Sequence, residues 1–130
     1  MKNFTLVLAF IMTSSLPVFA QDFQKGLEAA QAGDYATAIE EWKPLAEAGD
    51  AESQNILGTM NLEGLGVIQD HEEAIKWFKL AAVQGIVEAQ IQLGNMYYSG
   101  SGVLQDYAEA IKWYRQSAQN GSAVGQHLVS

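Results

Sequence analysis

A period of 36 residues constrains this chain more than any other feature of its sequence. Gly49, Gly85 and Gly121 are 36 residues apart, and the run Ala-Ile-Lys-Trp at 74–77 returns unchanged at 110–113. A fixed period of roughly 20–50 residues is typical of stacked supersecondary units, each of which buries its apolar face against a neighbour. We therefore expect one domain built from stacked repeats, which suits a length of 130 residues.

Residues 1–20 are excluded from that domain because they have the pattern of a signal peptide. Lys2 precedes a mostly apolar run at 4–12, and Pro17 interrupts the helix. Val18 and Ala20 then place small residues at the −3 and −1 positions of a cleavage site. We predict cleavage after Ala20 and a periplasmic or secreted protein. A membrane anchor is the alternative, but the apolar run is shorter than the roughly 20 residues of a spanning helix. We expect no membrane insertion after cleavage.

The charge balance excludes several classes of partner. The chain has 15 acidic residues, and removal of Lys2 with the signal peptide leaves six basic residues and a net charge of −9. Such a chain repels nucleic acid and anionic lipid, and its acidic surface favours basic partners. The absence of cysteine means that no disulfide can hold the exported protein together, so packing alone must do so.

The first unit, residues 21–49, is predicted to be a helix pair that caps the N-terminal end. A helix is expected at 22–32, and Asp34 is expected to cap the next one. Pro44 lies inside that second helix and should bend it, and Gly49 should end it in a left-handed conformation. The turn between the two helices is short and resembles that of a tetratricopeptide unit.

Two full repeats follow, at 50–85 and 86–121. Asp50 is expected to cap a helix at 51–63. Small residues recur in this helix and in its copy, and we expect them to let the partner helix approach closely. They are Ser53, Gly58, Ala89 and Gly94.

Each repeat has a glycine loop, at 64–67 and at 100–103. A phosphate-binding loop would need a preceding strand and a following Lys-Ser/Thr, and both are missing. We interpret the glycines as positive-φ turn positions, with Val67 and Val103 anchoring the loops to the core.

The second helix of each repeat begins at Asp70 or Asp106, and a glutamate follows three residues later. This spacing predicts a capping box, which explains the paired carboxylates without acid–base catalysis. Trp77 and Trp113 lie at the edge of the apolar face, where we expect packing against an adjacent helix rather than a ligand platform. The predicted apolar faces are Ala74, Ile75, Phe78, Ala81 and Ala82, then Ala110, Ile111, Tyr114 and Ala118.

Residues 122–130 begin a third copy of the repeat. Ala123, Gln126 and Val129 stand where Val87, Gln90 and Leu93 stand one period earlier. We expect this partial repeat to form a short capping helix over the last groove.

The pattern Leu-Gly-x-x-Tyr-x-x-Gly-x-Gly-Val from Leu93, followed by the Asp106, Ala110 and Trp113 positions, resembles the SEL-one-like repeat. The resemblance covers 49–121 and implies an all-α fold, a right-handed α-solenoid of antiparallel helix pairs. It also implies a protein-binding adaptor. Some cysteine-rich members of that family are associated with β-lactam binding or hydrolysis, but this chain lacks their cysteines and any Ser-x-x-Lys motif.

No catalytic, cofactor or metal site is predicted. His71 and His127 lie in unrelated registers, and two histidines without cysteine make a poor transition-metal site. A binding surface is proposed instead on the concave face, where the first helix of each repeat presents amides and apolar side chains suited to a peptide. The candidate residues are Asn55, Thr59, Leu62, Ile91, Asn95 and Tyr98.

Three functions remain open at this point. The first is an exported scaffold that binds a protein or peptide through the concave face, without covalent chemistry. The second is an envelope hydrolase of the β-lactam-recognising type, and the third is a self-associating structural unit. The candidate residues could also pack against the helix after residue 122 or against a second copy in a dimer.

Overall fold

The computed structural model describes residues 18–121, with side chains from residue 22 onward. This range contains helices and no strand. The predicted signal peptide as far as residue 17 and the predicted cap at 122–130 lie outside the described residues. No helix in the described range is long and apolar enough to cross a membrane. The helices are α1 (Val18–Gln31), α2 (Tyr35–Glu47), α3 (Ala51–Glu63), α4 (His71–Val83), α5 (Val87–Ser99) and α6 (Tyr107–Gln119).

The helices form three successive pairs, and each helix packs mainly against its neighbours in the chain. The predicted class, an all-α helical repeat solenoid, is confirmed. α3 covers the predicted residues 51–63, whereas α1 begins at Val18 rather than at residue 22. Pro44 lies inside α2 as predicted, and the helix continues to Glu47.

Aspartates cap the N-termini of four of the helices, as the sequence predicts. Asp50 accepts a hydrogen bond from the N–H of Ser53 at 2.9 Å, and Asp34, Asp70 and Asp106 make the equivalent bond. Asp34 also accepts from the Thr37 hydroxyl at 2.7 Å, and these bonds hold the pKa of its carboxyl below the usual value. Such side-chain caps satisfy helix N–H groups that have no partner within the helix.

The capping box predicted for the second helices is only half formed. The Asp70 N–H donates to the Asn61 carbonyl at 2.8 Å, and the Asp106 N–H donates in the same way to Tyr97. The glutamate three residues on instead forms an ion pair, between Glu73 and Lys76, at 3.5 Å. The backbone of the preceding helix therefore takes the place of the expected glutamate side chain.

Within each pair, a glycine of the first helix lies under an aromatic ring of the second. A Cβ atom added to Gly58 would lie 2.6 Å from the Phe78 ring, and one added to Gly94 would lie still closer to the Tyr114 ring. Both close approaches are predicted from the sequence. Gly26 under Trp42 makes a third that was not predicted, because the shorter first turn brings this pair to a spacing of 16 residues instead of 20.

The glycine loops pack against the preceding repeat. Gly66 has a φ of +74°, and an added Cβ would lie 2.8 Å from the backbone of Tyr35 at the start of α2. Gly102 meets the backbone of His71 in the same way, at the start of α4. Val103 packs on the core as predicted, whereas Val67 is half-buried and Leu65 supplies the corresponding packing.

Buried glutamines join successive repeats, a feature that the sequence analysis missed. Gln54 donates its side-chain N–H to the Ala46 carbonyl at 3.0 Å, and its Oε1 accepts from Gln84 at 2.9 Å. One period later, Gln90 donates to the Ala82 carbonyl at 2.9 Å and accepts from Asn120 at 3.0 Å. Each glutamine thus connects the end of one second helix to the first helix of the next repeat.

The core has two parts. An N-terminal cluster is built on Trp42 and Leu57, and Trp77 packs against it. A central cluster is built on Phe78 and Leu93, and Trp113 packs against it. Both edge tryptophans therefore pack on the core, as predicted.

One residue of the predicted apolar faces is exposed, and another, Ala118, is half-buried. Ile75 in α4 is 5% exposed, but its counterpart Ile111 in α6 is 43% exposed. The difference follows from position, because α5 covers Ile75 and no described helix follows α6. Ile111 is therefore exposed in the described structure, and the prediction that it is buried is wrong.

Candidate functional site: two cavities on the first helices

The residues predicted on α3 lie in two different surroundings. Asn55 and Thr59 are half-buried, and both line a cavity between α3 and the first helix pair. Leu62 is also half-buried but packs against the central cluster. The structure therefore brings Asn55 and Thr59 together, whereas Leu62 contributes to packing between repeats.

The residues predicted on α5 are more accessible. Ile91 is half-buried, and Asn95 and Tyr98 are exposed, with Tyr98 at 59%. Asn95 and Tyr98 line a second cavity, between α5 and α6. Four of the six candidate residues thus divide between two cavities, one in the first repeat and one at the far end of the described solenoid, whereas Leu62 and Ile91 line neither.

The N-terminal cavity has a volume of about 220 Å³, and its exposed lining is almost entirely apolar. The Oδ1 atom of Asn55 is buried and has no hydrogen-bond partner among the described residues. A buried acceptor without a partner loses its hydration without compensation, which costs roughly 1–3 kcal/mol. A ligand that donates a hydrogen bond at this point would remove that cost. The lining includes Tyr35, Trp42, Asn55, Ile56, Thr59 and Leu65.

The C-terminal cavity is larger, with a volume of about 730 Å³, and it is lined by Asn95, Tyr98, Tyr107, Ile111 and Tyr114. The rings of Tyr98 and Tyr107 lie 5.1 Å apart, and the Tyr114 hydroxyl donates to Asn95 Oδ1 at 2.6 Å. Burial raises the pKa of Tyr114, and the neighbouring Tyr98 adds to the effect. The cavity is therefore an aromatic and apolar surface with one amide, already satisfied, at its edge.

The second-helix residues that complete both cavities were not among the residues predicted from the sequence. Tyr35 and Tyr107 occupy one repeat position, which His71 occupies in the middle repeat. Trp42 and Tyr114 are likewise the aromatic partners of the helix glycines. Their shared register in the repeat was the signal that could have found them, because residues in one register take the same place at every repeat junction.

Comparison with known proteins identifies the repeat. The family model of the Sel1 repeat matches residues 51–86 and 87–122, which together are more than half of the chain. The chain belongs to the Sel1 repeat family. Proteins of this family are generally protein–protein interaction scaffolds and are typically non-enzymatic.

Solved structures share the fold of this Sel1 repeat protein. A Sel1 repeat protein from Oxalobacter formigenes is 32% identical, with a TM-score of 0.77, and the match covers 82% of this chain and 44% of that one. The protein c5321, a protective antigen of uropathogenic Escherichia coli strains with an SLR fold, is 34% identical, with a TM-score of 0.79. That match covers 86% of this chain and 25% of the antigen, so the chain spans less than half the length of either relative.

A solved structure with lower sequence identity also has a similar fold. Cysteine rich protein B of Helicobacter pylori is 16% identical, with a TM-score of 0.67, and the match covers 85% of this chain and 93% of that one. At this identity the likeness concerns the fold alone. No curated protein matches this Sel1 repeat protein significantly.

The chemistry available to this Sel1 repeat protein is limited in the part of the chain that the structure describes. No three histidine or carboxylate side chains gather there as a potential metal site. Ser101 Oγ lies 2.6 Å from His71 Nδ1, a distance that would suit a nucleophile and its base. This pair joins a glycine loop to the start of α4, and neither residue lines either cavity. The contact therefore has a structural explanation at the repeat junction.

Proposed function

We propose that this protein is an exported scaffold that binds a protein or peptide through the concave face formed by its first helices. Membership of the Sel1 repeat family supports a role in protein–protein interaction. The signal-peptide pattern at residues 1–20 supports export, and a net charge of −8 for the full chain, or −9 after loss of Lys2, favours a basic partner.

The observation that carries the proposal is the unpaired Asn55 Oδ1 in the N-terminal cavity. A peptide lying across α3 inserts one apolar side chain into the cavity, between Tyr35 and Trp42. One of its backbone N–H groups donates to Asn55 Oδ1, which satisfies the buried acceptor. The volume of about 220 Å³ suits a single side chain, since sites for whole small molecules are roughly 300–1,000 Å³.

Peptide selection against the full chain tests this proposal. Peptides selected from a displayed random library are measured for affinity to the wild type and to Asn55→Ala. Because a buried hydrogen bond is lost, we expect Asn55→Ala to weaken binding by about tenfold. The matched control is Gln119→Ala, which removes an exposed amide at the end of α6 and should leave affinity unchanged. Selected peptides that bind wild type and Asn55→Ala equally would place the binding surface elsewhere.

We also propose that the protein carries out no covalent chemistry. Among the described residues, the Ser101–His71 pair is the arrangement closest to a nucleophile and base, so it offers a direct test of the β-lactam alternative. Full-length protein should not hydrolyse the chromogenic β-lactam nitrocefin above the rate in buffer. Hydrolysis that Ser101→Ala abolishes would contradict this proposal and establish an enzyme.

A further inference from the structure

We propose that a third cavity, between the second helices α4 and α6, binds a small ligand that has a carboxylate next to an amide group. The cavity has a volume of about 400 Å³, within the range of roughly 300–1,000 Å³ for small-molecule sites. It shares no lining residue with the two cavities on the first helices, so the inference is independent of the peptide site at Asn55. The residues on which the argument depends are Lys112, Trp113, Gln116 and Asn120.

An unpaired indole N–H carries the inference. Trp113 lines the cavity, and its Nε1 atom is buried without a hydrogen-bond partner. The Trp42 Nε1 atom, in contrast, donates to the Phe23 carbonyl at 3.2 Å. An indole nitrogen can only donate a hydrogen bond, so the group that pairs with Trp113 must be an acceptor. A ligand oxygen would remove the cost of a buried donor that has no partner.

Exposed side chains lie beside the indole of Trp113. The Lys112 ammonium is 5.7 Å from the centre of the Trp113 ring, and Gln116 is the neighbour of Trp113 three residues later on α6. Both Lys112 and Gln116 are exposed. Because exposed side chains change rotamer within nanoseconds, they can move aside and admit a ligand oxygen to Nε1.

The charge of the lining indicates that the acceptor is an anion. Lys112 lines the cavity, and no aspartate or glutamate among the described residues does so. The ion pair of Lys112 with Glu109, at 3.6 Å, is exposed and therefore weak, so a ligand can compete for the ammonium group. The full chain has a net charge of −8, which repels ligands with several negative charges. A single carboxylate is the anion that fits both observations.

Two amides extend the site along α6. Lys112, Gln116 and Asn120 are spaced by four residues and therefore lie on one side of the helix and its C-terminal cap. Asn120 Nδ2 donates to Gln90 Oε1 at 3.0 Å, which holds the side chain and leaves Asn120 Oδ1 to accept from a ligand N–H. The residue of α4 in the position of Gln116 is Leu80, so the preceding repeat lacks this polar row. The row suits a ligand that has an amide beside its carboxylate.

Indole NMR of the full chain tests the site directly. The ligand is acetyl-glycyl-leucine, whose blocked amino end leaves the carboxylate as its charged group. We expect the Trp113 indole N–H signal to move downfield and saturate, whereas the Trp42 signal stays in place because that N–H is already bonded to Phe23. An unmoved Trp113 signal at about 10 mM ligand, well above the Kd of even a roughly millimolar site, would overturn the proposal.

Two related ligands test the chemistry of recognition. The C-terminal amide of the same peptide has no charge and should bind at least about tenfold more weakly, because charge-assisted hydrogen bonds are the stronger ones. Acetate has no amide and should also bind more weakly than the peptide. Equal affinity for the acid and its amide would exclude a carboxylate site. Acetate that binds as tightly as the peptide would contradict the role given to Gln116 and Asn120.

A matched pair of lysine variants tests the cation. Lys112→Gln should weaken binding of acetyl-glycyl-leucine by about tenfold, because it removes the positive charge. The control is Lys76→Gln, since Lys76 has the same repeat position and pairs with Glu73 at 3.5 Å as Lys112 pairs with Glu109. Both lysines are exposed, so we expect both variants to fold and the control to keep wild-type affinity. Equal affinities of the two variants would refute the role of Lys112.

Discussion

At the scale of single residues, the helix pairs depend on contacts between glycine and an aromatic ring. Phe78 is fully buried, and its ring occupies the space that a Cβ at Gly58 would need. A glycine inside a helix costs roughly 1 kcal/mol relative to alanine. The close packing of α3 and α4 therefore has to offset that cost.

Replacement of Gly58 by alanine tests which effect is larger. Overpacking a well-packed core costs about 1–3 kcal/mol, and an added Cβ would lie 2.6 Å from a ring that is enclosed on all sides. We expect Gly58→Ala to lower the free energy of unfolding by about 1–2 kcal/mol in urea denaturation, despite the gain in helix propensity. The loss should shrink when Phe78→Leu is also present. A stabilised Gly58→Ala would mean that the two helices can move apart at little cost.

The role of a residue that depends only on local backbone geometry could be predicted from the sequence. The role of a residue that depends on contact with another helix could not. Asp50 was assigned as a helix cap because its bond is to an N–H three residues away. Glu73 was assigned to a capping box, but the Asp70 N–H is already bonded to Asn61 of the preceding helix. Ile111 was predicted to be buried by analogy with Ile75, although burial requires a following helix.

At the scale of elements, the glycine loops set the distance between repeats. The sequence predicted their positive φ angles, because the chain must turn within a few residues. It did not predict that Gly66 lies against the backbone of Tyr35, since that contact joins two different repeats. The Gln54 and Gln90 contacts were missed for the same reason, although their spacing of one period was visible.

Alanine substitutions at two glycines of one loop distinguish the cost of a positive φ angle from the cost of a steric contact with the preceding repeat. Gly64 and Gly66 have φ angles of +71° and +74°, so alanine is strained by a similar amount at each, roughly 1–2 kcal/mol. At Gly64 the nearest atom would lie 3.3 Å from the new Cβ, whereas at Gly66 the Tyr35 backbone would lie at 2.8 Å. We expect Gly66→Ala to destabilise the protein by about 1 kcal/mol more than Gly64→Ala in urea denaturation. Equal losses would show that the loop moves away from α2 without cost.

At the scale of the whole molecule, the fold is a linear series of helices, each of which contacts mainly the helices next to it in the chain. The period of 36 residues was sufficient to predict this architecture, because a repeated unit that contacts only its neighbours needs no long-range information. The candidate site was less predictable. Asn55 and Thr59 were selected from α3 alone, but their cavity is completed by Tyr35 and Trp42 of the preceding unit.

A linear architecture predicts that stability varies along the chain. α4 packs against both α3 and α5 and contributes Phe78 and Ala81, which are 0% exposed, whereas α1 packs mainly against α2. Helices with neighbours on one side open more readily than those with neighbours on both sides. In native-state hydrogen exchange of the full chain, we expect amides of α4 to exchange at least about tenfold more slowly than amides of α1. Leu93→Ala, at a fully buried site of the central cluster, should destabilise the protein by about 2–5 kcal/mol and remove most of the difference. Uniform protection of α1 and α4 in the wild type would instead mean that the repeats unfold as one cooperative unit, so that contacts between neighbours outweigh the stability of any single pair.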